Sequence, residues 1–142
     1  MITVRIPGAP VAKGRARSFI RNGRIGHHTP EKTANYESIV ALAASQAMGV
    51  ADAELLSGPL AMSFEAVFAI PKSWSKKRVA ANDTRPEYVT KKPDLDNLCK
   101  SLADGMNGVV YGDDSQIGEF HMCRKVYGAK PGVVVKVWEL AQ

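Results

Sequence analysis

Six carboxylates lie between Asp94 and Glu119, a stretch in which Lys100 is the only basic residue. This acidic stretch limits how the chain can fold, because two carboxylates about 4 Å apart repel by ~4 kcal/mol at an effective dielectric constant near 20. A folded chain must keep these side chains apart or place a cation among them. Two basic segments precede it, with six basic residues and no acid over residues 1–30 and seven basic residues over residues 72–92. Basic segments beside an acidic centre favour a protein that holds a polyanion around a small anionic site.

The composition is that of one globular domain. Of the 142 residues, 45% are hydrophobic and 23% are charged, which is enough apolar material for a single core over residues 1–142. Two cysteines, Cys99 and Cys123, are too few for a disulfide framework, which favours a reducing compartment. No stretch has the length and apolar character of a membrane span or a secretory signal. We therefore expect a soluble protein with no membrane partner.

Hydrophobic periodicity predicts the element order strand, hairpin, helix, strand, loop, helix, strand, strand. The predicted strands cover residues 2–6, 60–70, 116–127 and 132–140, and a basic hairpin covers residues 17–25 with its turn near Asn22-Gly23. The first helix is predicted to start at Thr29-Pro30 and to end near Gly49. Its apolar face is predicted from the helical spacing of Tyr36, Ile39, Val40, Ala43 and Ala47. Residues 71–92 lack periodicity and are predicted to form a mobile basic loop with at most a short turn at residues 74–81.

The second helix, predicted from Asp94 to Asn107, has an apolar face and a polar face. The apolar face carries Leu95, Leu98, Cys99, Leu102 and Met106, and the polar face carries Asp96, Asn97, Lys100 and Asp104. N-capping is the simplest role for Asp94, and Asp113-Asp114 fits a turn. If the chain folds back after the helix, however, Asp114 approaches Asp94 and Asp96. An all-oxygen cluster of that kind selects a hard cation such as Mg²⁺ or Mn²⁺.

Other residues leave alternatives open. Lys100 can form an i,i+4 ion pair with Asp96 or face a phosphate, and Asp104 fits an ion-pair partner better than a ligand. His27-His28 fits phosphate contact better than metal binding, and His121 with Cys123 is too small a set for zinc. Trp74 and Phe19 lie among basic residues and could stack on bases or pack against the protein.

Four segments together resemble the RusA family of Holliday-junction resolvases. They are Ile6-Pro7-Gly8, Ile70-Pro71-Lys72-Ser73-Trp74-Ser75, Lys92-Pro93-Asp94-Leu95-Asp96-Asn97-Leu98 and Tyr111-Gly112-Asp113-Asp114-Ser115-Gln116-Ile117. The Asp-Leu-Asp-Asn-Leu motif, with a lysine two residues later and an Asp-Asp-x-Gln turn downstream, is specific in combination.

The resemblance implies a mixed α/β (α+β) domain with a mixed β-sheet, a basic hairpin and two main helices, assembled as a two-fold homodimer. It implies Mg²⁺-dependent cleavage of four-way-junction or other branched DNA during recombination and repair, in a bacterial cytoplasm, by a chromosomal or prophage protein. The implied metal ligands are Asp94, Asp96 and Asp114, with Asp113 as the alternative third ligand, and Lys100 is the implied catalytic lysine. The residues expected to contact the DNA backbone are Lys13, Arg15, Arg17, Arg21, Arg24, Lys72, Lys76, Lys77, Arg78, Lys91 and Lys92.

Two other functions fit the same charges. A non-catalytic architectural protein that binds branched DNA would use the basic segments, but it has little need for clustered carboxylates beside phosphates. A Mg²⁺-dependent phosphohydrolase acting on small nucleotides would use the carboxylates, but it has little need for so many surplus cations.

Overall fold

A computed structural model describes residues 1–14, 17–28 and 31–142, apart from the side chains of Arg17 and His28. Its elements are β1 (Ile2–Pro7), β2 (Arg17–Arg21), β3 (Arg24–His28), α1 (Glu31–Ala51), β4 (Leu60–Ala69), α2 (Lys76–Thr84), α3 (Leu95–Gly105), a 3₁₀ turn (Asp114–Gln116), β5 (Ile117–Gly128) and β6 (Gly132–Glu139). The predicted element order is confirmed with one addition, helix α2. The predicted start of the first helix at Thr29-Pro30 lies outside the described residues.

Four of the strands form one mixed sheet in the order β1-β6-β4-β5. β4 runs parallel to β5 and antiparallel to β6, and β6 pairs antiparallel with β1. The parallel pair needs a long crossover, which residues 70–116 supply. Helix α3 and the acidic turn both belong to this crossover, so the fold itself brings the polar segment back to the start of β5.

Helices α1 and α3 cover one face of the sheet. α1 packs on β1 and on α3. The side chains of β1 alternate in burial as a result, since Ile2, Val4 and Ile6 are buried and Arg5 is exposed. On α3 the predicted apolar face is confirmed, since Leu98, Leu102 and Met106 are fully buried. Ile39 is 44% exposed, so its predicted place on the buried face of α1 is wrong.

Gly105 allows α1 and α3 to approach closely. A Cβ atom at this position would lie 2.7 Å from Cγ1 of Val40 and 3.3 Å from the carbonyl oxygen of Glu37. Any side chain here would therefore push the two helices apart. This contact fixes the position of the polar face of α3 relative to the rest of the domain.

The segment 71–92 contains a nine-residue helix, α2, where we predicted a basic loop with at most a short turn. Ser75 caps α2 by accepting a hydrogen bond from the N–H of Arg78. The helix is docked by a polar side chain, because the buried amide of Asn82 donates to the carbonyl of Tyr127 at 2.9 Å and accepts from the N–H of Glu87 at 2.7 Å. The prediction missed α2 because a helix held by polar contacts has no apolar period.

The end of this segment is tied to β5 before α3 begins. Val89 donates its N–H to the carbonyl of Lys125 at 3.0 Å, and the ammonium of Lys125 donates to the carbonyls of Lys91 and Pro93 at 2.8 Å each. These bonds place the N-terminus of α3, with Asp94 as its N-cap, beside the sheet. Within the described parts of the chain, no helix is both long and apolar enough to cross a membrane.

Burial of Tyr36 predicts an alkaline limit to stability. Loss of water around its side chain raises the pKa of Tyr36 from 10.0 to about 12, so the folded state disfavours the phenolate. The free energy of unfolding is therefore unaffected by this group below pH 10. It falls by at most ~3 kcal/mol as the pH rises from 10 to 12. We expect the Tyr36→Phe variant to gain that amount over the wild type between pH 9 and pH 12, as measured by urea unfolding.

At neutral pH the same variant should be at least as stable as the wild type. Within the described structure, the buried Tyr36 hydroxyl has no well-formed hydrogen bond, and the backbone of Val11 near it belongs to a partly exposed residue, so removal of the hydroxyl costs little. If the free energies of unfolding of the two proteins changed in parallel between pH 9 and pH 12, the raised pKa of Tyr36 would be contradicted.

Candidate active site in a cleft between α3 and the start of β5

Side chains from two distant segments line one cleft of about 410 Å³. Asp96 and Lys100 reach it from α3, and Asp114 reaches it from the turn that precedes β5. Cys99, Ala103, Ile117 and Phe120 supply its apolar wall. The cleft therefore combines two carboxylates, one ammonium group and an apolar wall.

Lys100 joins the two segments electrostatically. Its ammonium nitrogen lies 3.4 Å from Oδ2 of Asp114 and 3.2 Å from Oδ1 of Asp104. Asp104 is thus an ion-pair partner, as predicted, whereas no ion pair joins Lys100 to Asp96 among the described residues. The hydrogen bond to Asp104 is the main cause that raises the pKa of Lys100, with a smaller contribution from Asp114. Lys100 is consequently a permanent cation at neutral pH, and more than half of its side chain is exposed to solvent.

The two adjacent aspartates of the turn have different surroundings. The Asp113 carboxylate accepts a hydrogen bond from the Ser115 hydroxyl, which lowers the pKa of Asp113. The Asp113 N–H donates to Oε1 of Gln116 at 3.1 Å, and the Gln116 amide donates to the carbonyl of Gly58 at 3.1 Å. Asp113 thus braces the turn, whereas Asp114 lines the cleft.

Asn107 holds Asp114 in place, a role that the sequence did not reveal. Its Oδ1 accepts the N–H of Asp114 at 2.8 Å, and its Nδ2 lies 3.5 Å from Oδ1 of the same residue. We predicted Asn107 only as the end of a helix, because an asparagine before a glycine is a common helix stop. No periodicity or charge pattern marks a side chain that bonds to a residue seven positions away.

Asp94 is not among the residues that line the cleft. It is the exposed N-cap of α3, yet its side chain makes no capping hydrogen bond. The three predicted ligands are thus divided between two places, with Asp96 and Asp114 at the cleft and Asp94 at the helix terminus. A ligand role for Asp94 stays a prediction.

Comparison with known proteins identifies the family. The sequence model of a family described as "Endodeoxyribonuclease RusA" matches residues 7–138. The chain belongs to the RusA family. It is also 34% identical over 145 residues to the "Uncharacterized protein YqaN" of Bacillus subtilis (strain 168), and the alignment covers 99% of this chain and 97% of that protein. Membership of the RusA family supports nuclease function and DNA binding.

The donor set of this RusA-family cleft suits a hard cation, although the carboxylates are not gathered into a complete site. Among residues 1–14, 17–28 and 31–142, no three His, Cys, Asp or Glu side chains are grouped so that they could hold a metal ion. Mg²⁺ is commonly bound by only one or two carboxylates together with water and substrate phosphates. Asp96 and Asp114 are therefore sufficient in number and chemistry for such a cation.

Of the basic residues that we predicted to contact DNA, seven besides Arg78 are exposed. These are Arg21, Arg24, Lys72, Lys76, Lys77, Lys91 and Lys92. Within the described structure none of the seven forms an ion pair with an acidic side chain. Arg15 and the side chain of Arg17 lie outside the described residues. The exposed cations remain free to bind phosphates.

Two of the predicted DNA contacts are engaged within the protein instead. Lys13 bridges Glu37 at 2.6 Å and Asp104 at 3.2 Å, which ties the segment before the hairpin to α1 and α3. Arg78 forms two hydrogen bonds of 2.9 Å with Glu87, and its guanidinium lies 3.8 Å from the ring centroid of Trp74. One face of Trp74 is thereby covered, so this ring is not free to stack on a base from that side.

The other side chains considered for metal binding have local partners. His121 bonds to Glu119 at 2.6 Å, and the Cys123 thiol donates to the carbonyl of His121 at 3.1 Å. His27 Nδ1 lies 3.2 Å from the Ser18 hydroxyl within the hairpin. These contacts account for the three side chains without a metal.

Proposed function

We propose that the protein is a structure-selective endodeoxyribonuclease that resolves four-way DNA junctions, with Mg²⁺ or Mn²⁺ as its cofactor. The observation that carries the proposal is the cleft in which Asp96, Lys100 and Asp114 meet, in a chain of an endodeoxyribonuclease family. Clustered carboxylates beside exposed cations fit phosphodiester hydrolysis better than passive binding, because a passive binder gains nothing from negative charge near phosphates.

Asp96 and Asp114 would hold the cation, with Asp94 as a further ligand from the helix terminus. When bound, such a cation neutralises charge on the scissile phosphate and makes an attacking water more acidic. Lys100 keeps its proton and points a positive charge into the same cleft, where it stabilises the additional negative charge of the pentacovalent transition state. Asn107 fixes the main chain and the carboxylate of Asp114, so that this ligand is oriented before substrate arrives.

The exposed cations would bind the arms of the junction. Arg21 and Arg24 extend from the hairpin, Lys72, Lys76 and Lys77 from the region of α2, and Lys91 and Lys92 from the segment before α3. Each phosphate contact releases counterions, so binding should weaken steeply as salt rises. A symmetric junction needs two matched cuts, for which we propose a two-fold homodimer with two clefts.

The proposal predicts metal-dependent nicking of a synthetic four-way junction. We expect two symmetric nicks near the branch point with Mg²⁺ or Mn²⁺, none with Ca²⁺ or EDTA, and little cutting of linear duplexes with the sequences of the arms. Denaturing gel electrophoresis of end-labelled strands measures each product. The control is binding of the same junction in Ca²⁺, which should persist.

Two outcomes would replace the proposal with its alternatives. Tight junction binding without nicking under every metal would favour an architectural protein. Hydrolysis of a small nucleotide substrate that long duplex DNA fails to inhibit would favour a nucleotide phosphohydrolase.

A further inference from the structure

The β2–β3 hairpin has two chemically different faces. Its strands pair Ile20 with Ile25 and Ser18 with His27. Residues directly opposite each other share a face of a hairpin, and neighbours along a strand point to opposite faces. Ile20 and Ile25 therefore lie together on one face, and Arg21 and Arg24 lie together on the other.

The two isoleucines form an exposed apolar pair close to the tip. Ile20 is 78% exposed and Ile25 is 72% exposed, although each would gain from leaving water. The turn beside them is tight, because Asn22 and Gly23 have φ angles of 53° and 72°, as in a type I′ turn. The tip thus projects two aliphatic side chains on a short, well-defined support.

The charges of the hairpin indicate what this apolar pair contacts. Arg21 and Arg24 are exposed on the opposite face, and residues 1–30 contain no acidic residue. A second copy of the same hairpin on this tip would add two more arginines and no acidic residue, so charge gives that contact no attraction. Nucleic acid offers phosphates for the arginines and, wherever base stacking is interrupted, an apolar base face for the isoleucines.

We propose that the hairpin tip is a wedge that enters the branch point of the DNA. Ile20 and Ile25 cover base faces that lose their stacking neighbour at the branch point when the protein binds, and Arg21 and Arg24 hold phosphates next to them. Aliphatic side chains separate base steps in this way in proteins that kink DNA. The inference rests on the proposed function, since stacked bases are separated more easily at a branch point, where strands exchange, than within a continuous duplex.

The test compares the double variant Ile20→Ser/Ile25→Ser with the matched variant Arg21→Gln/Arg24→Gln. Binding is measured in Ca²⁺ to a four-way junction with 2-aminopurine at the branch point and to a linear duplex of the same arm sequence. We expect wild-type protein to raise the fluorescence of the junction, because the probe loses a stacking neighbour. The serine variant should not show this rise. The ratio of its junction affinity to its duplex affinity should fall by about tenfold.

The glutamine variant should behave differently. It should bind both DNAs more weakly, and the slope of log affinity against log salt should fall by about 2, since two phosphate contacts are removed. The serine variant should keep the wild-type slope and the wild-type thermal midpoint, because its substituted side chains are exposed.

Two results would overturn the wedge alone, both with wild-type protein that binds and cuts junctions. One is a serine variant that gives the same fluorescence rise and the same preference for the junction as the wild-type protein. The other is a serine variant that sediments as a smaller species, which would assign the apolar pair to a contact between copies of the chain. A wild-type protein that neither binds nor cuts junctions would overturn the proposed function and the wedge together.

Discussion

Replacement of Asp96 by asparagine is expected to lower the rate of junction cleavage by at least about a thousandfold. The substitution keeps the size of the side chain but removes the negative charge that the cleft offers to a divalent cation. Single-turnover cleavage with excess enzyme in Mg²⁺ separates this loss from any change in product release. Junction affinity in Ca²⁺ or EDTA should be unchanged or slightly tighter, because one charge that repels phosphates is gone.

The matched control for this variant is Asp83→Asn. Asp83 is an exposed aspartate of α2, outside the residues that line the cleft, so the same change of charge should leave cleavage within about twofold. If Asp96→Asn instead loses binding and cleavage together and has a lower thermal midpoint, Asp96 supports the fold and not the chemistry.

Asp114 and Asp113 are expected to respond very differently to the same substitution. Asp114→Asn should reduce cleavage by about a hundredfold to a thousandfold, because Asp114 lines the cleft and faces Lys100 at 3.4 Å. Asp113→Asn should keep cleavage within about threefold and lower stability slightly, since it weakens only the contact between the Asp113 carboxylate and the Ser115 hydroxyl. Parallel measurements of cleavage rate and urea unfolding on both variants test the pair.

The reverse result would assign the metal ligand to Asp113 instead of Asp114. If Asp113→Asn abolished cleavage at full stability while Asp114→Asn remained active, Asp113 would be the third ligand and Asp114 an ion-pair partner of Lys100. Equal loss in both variants, together with loss of stability, would mean that the turn as a whole is needed and that neither carboxylate acts alone.

The sequence predicted best the elements that an apolar period defines. On α3 a continuous face of leucines is buried, and in the hairpin the Asn22-Gly23 turn has the two positive φ angles that its residues favour. Helix α2 was not predicted because its buried anchor is an asparagine, which bonds to the backbone of Glu87, five residues on, and of Tyr127, 45 residues on. The capping serine at position 75 was the one local signal for this helix.

The same division applies to the candidate site. Charge concentration predicted where carboxylates would gather, and the crossover between the parallel strands β4 and β5 explains how Asp114 comes to share a cleft with Asp96. The supporting residues Asn107 and Lys13 could not be predicted, because each acts through partners that only the tertiary structure supplies. Asp94, by contrast, was predicted at a helix terminus and lies there, and its role as a ligand stays a prediction.

The contacts of Lys13 determine where an exchanged hairpin segment can begin in a chimaera of this domain. Its bridge to Glu37 and Asp104 is reinforced by a bond from the N–H of the next residue, Gly14, to the Thr33 hydroxyl at 2.9 Å. Residues up to Gly14 therefore support α3, and a segment exchanged together with the β2–β3 hairpin should begin after Gly14. A graft that began earlier and replaced Lys13 would remove one of the two lysines that pair with Asp104 and would leave Lys100 as the other.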